Sequence, residues 1–218
     1  MTEAFVLYGS PHSLFTYKVA LMLRLSRQPF SFRYVSFQKG MHRSPEFLAL
    51  SRWGQVPVLR HGERSLVQSA AILEYLADDL GTFGASDDDA RRRIREWLCW
   101  DADRLTSPAF NAYSVRLGEQ KLLPIAFDPA VVAYYRRGGE QAWAALDAQL
   151  ATTTFVAAGN PTIADIACYG AAAFARLGQI DLAPWPHVTD WIRRIEALPA
   201  FAAPFDLLPM ADAEIPAA

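Results

Sequence analysis

The stretch Ser51-Arg-Trp-Gly-Gln-Val-Pro-Val-Leu59, with Leu66-Val-Gln-Ser-Ala-Ala-Ile72 close behind it, decides how this chain is read. Both segments carry polar residues inside runs that are otherwise apolar. A proline cannot donate to a sheet ladder, so Pro57 fits a strand only as its first residue, where it marks a special turn with a cis bond before it. Such a turn leaves the backbone of Val56 facing outward and free to bind. The helix that follows begins with Gln68-Ser69, a polar start for an apolar element.

Working outward from there, the first 80 residues alternate between two periodicities. Ala4 to Tyr8 reads as a strand, Ser13 to Leu25 as a helix and Phe30 to Phe37 as a second strand. Pro45 to Leu50 is long enough for a short helix. Pro57 to Arg60 and Ser65 to Val67 flank the turn-like His61-Gly-Glu-Arg64 and predict an antiparallel hairpin. Ser69 to Leu80 closes this half as a helix, with Ile72, Leu73, Tyr75 and Leu76 at helical spacing. The order βαβ followed by ββα describes a small thioredoxin-like α/β layer over residues 1–80.

Gly81 to Ser86 breaks the pattern and reads as a linker. Residues 87–218 carry no strand signal and form an all-α domain, with helices expected near Asp87 to Gly118, Pro129 to Ala151, Thr162 to Gly178 and His187 to Leu198. Asp87-Asp-Asp89 caps the first of these, a solvated helix start. Thr162-Ile-Ala-Asp165 has the form of a capping box, with a structural role.

With 218 residues, 52% of them hydrophobic and 20% charged, the chain has the composition of a soluble globular protein. A net charge of -2 offers no reason to expect nucleic acid or an anionic membrane as partner. No apolar run approaches the roughly 20 residues of a membrane span, and the N-terminus lacks a signal-peptide pattern, so a cytoplasmic location is expected. Cys99 and Cys168 lie far apart in apolar helical contexts and read as buried structural thiols. No metal site is expected.

The thioredoxin-like half, the Gly-Gln-Val-Pro turn, the Gln-Ser helix start, the helical half and the Thr-x-x-Asp box, in this order, resemble the cytosolic glutathione transferase family over nearly the whole chain. Glutathione as co-substrate is what the resemblance implies. Val56, before the cis proline, would pair its backbone with the cysteinyl unit as an added strand does. Gln55 and Pro57 complete that turn. Ser69, at a helix N-terminus where an anion is favoured, would hold the γ-glutamyl carboxylate. Gln68 stands where many members have Glu, keeping an acceptor but no negative charge for the ligand's ammonium. Gly40-Met-His-Arg-Ser-Pro-Glu-Phe47 resembles the His-Lys-Ser-Pro segment of phi-class members, which places His42 and Arg43 near the glycine carboxylate, with Lys39 as an alternative cation.

A free thiol has a pKa near about 8.5, so lowering it by two units asks for about 2.7 kcal/mol of anion stabilisation. A hydroxyl donor at a helix N-terminus can provide that. Ser10, before Pro11, reads as a structural helix cap. Tyr8 resembles the tyrosine of the alpha, mu and pi classes. The spacing Tyr8-Gly-x-Pro11-x-Ser13, followed by Lys18-Val19, resembles the phi and theta pattern, in which Ser13 is the thiol's partner. No cysteine occurs between Met1 and Leu98, which disfavours thiol exchange through an enzyme cysteine.

The expected function is that of a serine-type glutathione transferase acting on a hydrophobic electrophile. The electrophile would lie against the helical domain, where Trp97, Trp100, Leu105, Phe110, Tyr113 and Val115 provide both core and pocket. Two other readings stay open: a glutathione-fold binding or interaction protein with little catalysis, and a glutathione-dependent peroxidase or reductase. Trp53, four residues before Pro57, either packs on its own domain or inserts into a partner subunit, and a homodimer is expected.

Overall fold

The computed structural model describes residues 5–124 and 126–208. Ala4, the expected start of the first strand, lies outside them. Contacts divide the chain into two compact units, one of Met1–Thr82 with Pro199–Ala218 and the other of Phe83–Leu198.

In the first unit the elements run β1 (Phe5–Gly9), α1 (Leu14–Leu25), β2 (Phe30–Tyr34), a 3-10 turn (Met41–Arg43), α2 (Pro45–Leu50), β3 (Val58–His61), β4 (Arg64–Val67) and α3 (Ser69–Leu80). The sheet order is β2-β1-β3-β4. Strands β1 and β2 are parallel, with Leu7 opposite Phe32. Strand β3 runs antiparallel to both β1 and β4, setting Leu59 opposite Leu7 and Val58 opposite Val67. Two consecutive β strands of opposite sense need only a tight turn, and Gly62, at φ +57°, makes it. Helices α1 and α3 pack together, burying Val19, Leu23, Ile72, Leu73 and Leu76. A separate buried cluster of Val35, Phe47 and Val58 carries Tyr8, Met41, Leu50, Val56 and Val67 against it.

Strand β2 stops three residues short of the expected Phe37, although Val35 still donates to the Gly9 carbonyl at 2.7 Å. The residues from Pro199 group with the first unit rather than with the helical half. Tyr17 donates its hydroxyl to the Ala202 carbonyl at 2.9 Å, and Arg24 Nε donates to the Ala200 carbonyl at 3.2 Å. A short helix, Pro204–Leu207, follows.

The second unit is helical among its described residues: α4 (Asp88–Trp100), α5 (Thr106–Glu119), α6 (Pro129–Leu150), α7 (Ile163–Leu177) and α8 (Pro186–Glu196). Where one helix is expected from Asp87 to Gly118, a wide π turn, Asp101–Leu105, separates α4 from α5. Thr106 N–H reaches back to the Asp101 carbonyl, and the Thr106 hydroxyl donates to Asp101 Oδ1 at 3.1 Å, so a buried carboxylate is satisfied inside the wide turn. Asp87 caps α4 by accepting from Ala90 N–H at 2.7 Å. Asp128 does the same for α6, with Pro129 at the first helical position. Thr162 and Asp165 form the capping box of α7, a helix buried on every side from Ile163 to Ala175. Cys168 is buried as expected, but Cys99 is exposed, because it lies on the outward face of an amphipathic helix whose buried face is Ala90, Ile94 and Leu98.

Candidate active site

The end of β1 and the start of α1 form the first wall of the site. Gly9 is required there: a side-chain carbon at this position would lie 2.2 Å from Thr16 Cγ2 and 2.5 Å from its Oγ1. Ser10-Pro11-His12-Ser13 then makes a β-turn, closed by Ser13 N–H to the Ser10 carbonyl at 3.0 Å, with Pro11 at the position whose φ it pre-sets. The helix cap expected at Ser10 therefore sits at Ser13, whose Oγ accepts from Thr16 N–H at 3.2 Å. Ser10 Oγ accepts instead from His12 N–H at 3.3 Å. A hydroxyl that accepts through one lone pair keeps its own proton to give, and the Ser13 proton has no acceptor among the described residues. Burial holds His12, between Pro11 and Ser13, below its ordinary pKa.

The second wall is the turn before β3. The Val56–Pro57 bond is cis. Val56 lies beyond the β3 ladder, which begins at Val58, and its N–H and C=O make no hydrogen bond among the described residues. Gln55 is fixed on both sides, because Ser51 Oγ accepts from its N–H at 3.1 Å and donates to its carbonyl at 2.9 Å. Gln55 Oε1 in turn accepts from Gln68 Nε2 at 2.9 Å. Gln68 holds φ +70°, a conformation that costs a residue with a Cβ free energy and is found where surrounding structure imposes it. It turns the chain into α3, whose first N–H groups, beginning at Ser69, have no side-chain cap, an end at which negative charge is favoured.

His42 and Arg43 lie in the 3-10 turn that leads to α2. The turn rests on Gly54, at φ +61°, where a side-chain carbon would come within 2.7 Å of the His42 carbonyl oxygen and 3.3 Å of Arg43 Nη1. His42 Nδ1 is buried without a hydrogen-bond partner among the described residues, and the ring meets Phe37 edge to face at 4.9 Å. Desolvation, and then the neighbouring Arg43 charge, hold His42 below its ordinary pKa. A neutral imidazole here can donate to a carboxylate. Arg43 itself is exposed.

Of the aromatic and apolar residues expected to line an electrophile pocket, Leu105 and Tyr113 are core, and burial pushes the Tyr113 phenol up to about 12. Trp97, Trp100 and Val115 are half-buried, and Phe110 is exposed. No cluster of three or more His, Cys, Asp or Glu able to hold a metal occurs among the described residues. Nor, among them, is any helix long and apolar enough to cross a membrane.

A thioredoxin-like layer carries a cis-proline turn and an uncapped helix N-terminus, and a helical unit follows it in the chain. Residues 7–82 match the family described as Glutathione S-transferase, N-terminal domain, and residues 129–194 match Glutathione S-transferase, C-terminal domain. The chain is 30% identical over 210 residues to glutathione S-transferase 3 of Zea mays, covering 94% of each chain. It is 28% identical over 191 residues to the disulfide-bond oxidoreductase YfcG of Escherichia coli, covering 84% of this chain and 86% of that one. A crystal structure of glutathione S-transferase from Pseudomonas fluorescens superposes with a TM-score of 0.84 at 27% identity, over 93% of this chain and 99% of the other. The chain belongs to the glutathione S-transferase family, whose co-substrate is glutathione.

Proposed function

We propose that the protein is a serine-type glutathione transferase in which the Ser13 hydroxyl donates a hydrogen bond to the glutathione thiolate. The observation that carries this reading is the double state of Ser13: its oxygen caps α1 while its proton has no acceptor among the described residues, 6% exposed at a positive helix end. The open backbone of Val56 would take the cysteinyl unit as an added strand. The γ-glutamyl carboxylate belongs at Ser69 and the α3 N-terminus, with Gln68 beside its ammonium, and the glycine carboxylate at His42, with Arg43 as a nearby countercharge.

The chemistry requires no other group from the chain. The bound thiol loses its proton to solvent, and the thiolate attacks the electrophilic carbon. A sulfur–carbon bond forms, the bond to the leaving group breaks, and that group departs with the electron pair. The Ser13 hydroxyl stabilises the anion from which this begins, and the hydrophobic electrophile is taken by residues of the helical unit. The protein acts as a homodimer in the cytoplasm, with detoxification of such electrophiles as its role.

A second reading is favoured by the likeness to the Escherichia coli disulfide-bond oxidoreductase. No cysteine precedes Cys99 in the chain. Reduction would therefore run through the same thiolate attacking a disulfide sulfur, forming a mixed disulfide with glutathione and releasing the other thiol. Retention on immobilised glutathione, followed by turnover of aryl halides, enones, peroxides and a low-molecular-weight disulfide, tests both. Conjugation above the uncatalysed rate supports the transferase. Turnover of the disulfide alone supports the second reading. Absence of both retention and turnover overturns the enzyme reading in favour of a binding protein.

A further inference from the structure

We propose that Ser51 is the positioning residue of the glutathione site, acting through Gln55 on the backbone of Val56. The proposal rests on the glutathione reading above. Ser51 is fully buried, although it belongs to the connection between α2 and β3. Its own N–H donates to the Phe47 carbonyl at 2.8 Å, and Phe47 is a fully buried member of the cluster that also receives Val56. Its carbonyl accepts from Gly54 N–H at 2.8 Å. One serine hydroxyl offers one proton and two lone pairs, and here the proton and a lone pair both go to the two backbone groups of Gln55. The orientation of Gln55 is thereby set from a point anchored in the core, and the next residue is the one whose open N–H and C=O would meet the ligand.

The same hydroxyl governs a second contact at one remove. Gln55 Oε1 accepts from Gln68 Nε2 at 2.9 Å, and Gln68 leads directly into Ser69 and the α3 N-terminus. Ser51, Gln55 and Gln68 form a strap joining the place for the cysteinyl unit to the place for the γ-glutamyl carboxylate. A strap already in place spares the ligand the cost of ordering the turn, so its loss weakens binding without touching the group that faces the thiolate.

The test is Ser51→Ala, with calorimetric titration of S-methylglutathione and steady-state kinetics in glutathione. The dissociation constant and the KM for glutathione are expected to rise about three- to tenfold while kcat at saturation stays within about twofold, and Ser51→Thr, which keeps the hydroxyl, is expected to restore affinity. Leu25→Ala, a core truncation in α1, serves as the control for general loosening. An unchanged dissociation constant in Ser51→Ala, an equal loss in Leu25→Ala, or a fall in kcat with KM unmoved overturns the role of Ser51. If Ser51→Thr fails to fold, the Ser51→Ala comparison with Leu25→Ala still decides. A wild-type chain that does not bind S-methylglutathione overturns the glutathione reading itself, and the positioning role with it.

Discussion

Trp191 on α8 donates its indole N–H to Asp165 Oδ1 on α7 at 2.9 Å. The same carboxylate accepts from Val156 N–H at 2.8 Å, from Thr162 N–H at 2.8 Å and from the Thr162 hydroxyl at 3.2 Å. Four donors from three segments thus converge on one fully buried side chain. Asp165→Ala leaves those donors without an acceptor and is expected to cost about 3 to 5 kcal/mol of stability. Trp191→Phe removes one donor while keeping most of the ring and should cost less. Urea unfolding of the two variants checks the order, and an Asp165→Ala chain as stable as wild type would remove the network from the stability of α7.

Ser13→Ala is expected to lower kcat by one to two orders of magnitude with little change in glutathione affinity, because in the proposed site the hydroxyl acts on the thiolate and not on the peptide ends. The same change removes a helix cap, worth about 0.5 to 2 kcal/mol. Ser13→Asp separates the two duties, since aspartate caps as well as serine but offers no proton and sets a negative charge near sulfur. It should regain stability and remain inactive. Tyr8→Phe and Ser10→Ala should stay active, and if either abolished turnover while Ser13→Ala kept it, the serine assignment would fall.

On the proposed assignment, His42 gives binding a pH dependence whose sign follows from the carboxylate set against it. Desolvation and Arg43 hold its pKa below the ordinary value in the free protein. A glycine carboxylate set against it would raise that value in the complex. The bound state then carries more protons than the free state between the two values, so affinity grows as pH falls through that window and levels off below it. S-Methylglutathione has no thiol proton, and its other groups titrate outside the range around neutrality. Calorimetry in buffers of different ionisation heat should therefore show proton uptake for wild type and none for His42→Ala. Ser69→Ala should weaken binding by about 1 to 3 kcal/mol with no change in proton uptake.

Trp53 is 45% exposed, with the Arg52 guanidinium 4.2 Å above its ring. An indole left this open, two residues from the Gln55 turn, suits an anchor in a partner subunit. Trp53→Ala is expected to shift sedimentation toward monomer at low concentration and to weaken glutathione binding through the adjoining turn. A variant that stays dimeric at nanomolar concentration with unchanged affinity would take Trp53 out of the interface.

The parts of this fold legible in the sequence are those written in local periodicity. Short apolar runs of β type mark the strands around Leu7 and Leu59, and helical spacing marks α3 from Ile72 to Leu76. Pro57 announced its turn because proline allows so few others. The duties of Ser10 and Ser13 were harder to separate: a proline after a serine suits both a helix start and a β-turn, and only the bond from Ser13 N–H to the Ser10 carbonyl distinguishes them. Ser51 carried no signal, since a buried loop serine looks like any loop serine until its partners are known. The attachment of Ala200 and Ala202 to α1 rests on contacts across more than 170 positions, beyond the reach of any local pattern. Cys99 reads as buried because its neighbours Leu98 and Trp100 are apolar, although its own face of α4 is not.

The wide turn Asp101–Leu105 absorbs one residue more than an ordinary helical turn, so α5 keeps the angular phase it would have if α4 ran on with one residue fewer. In that phase Tyr113 stands edge to face with Phe174 at 5.0 Å, and Leu117 is buried on the same side. Tightened to a regular α-turn without losing a residue, the segment would turn everything after it by about 100°. Ala112 and Arg116 would then occupy the places of Tyr113 and Leu117, putting a guanidinium where the helical unit now holds a leucine. The Asp101 and Thr106 side chains, closed on each other inside the turn, thereby decide which residues of α5 count as interior.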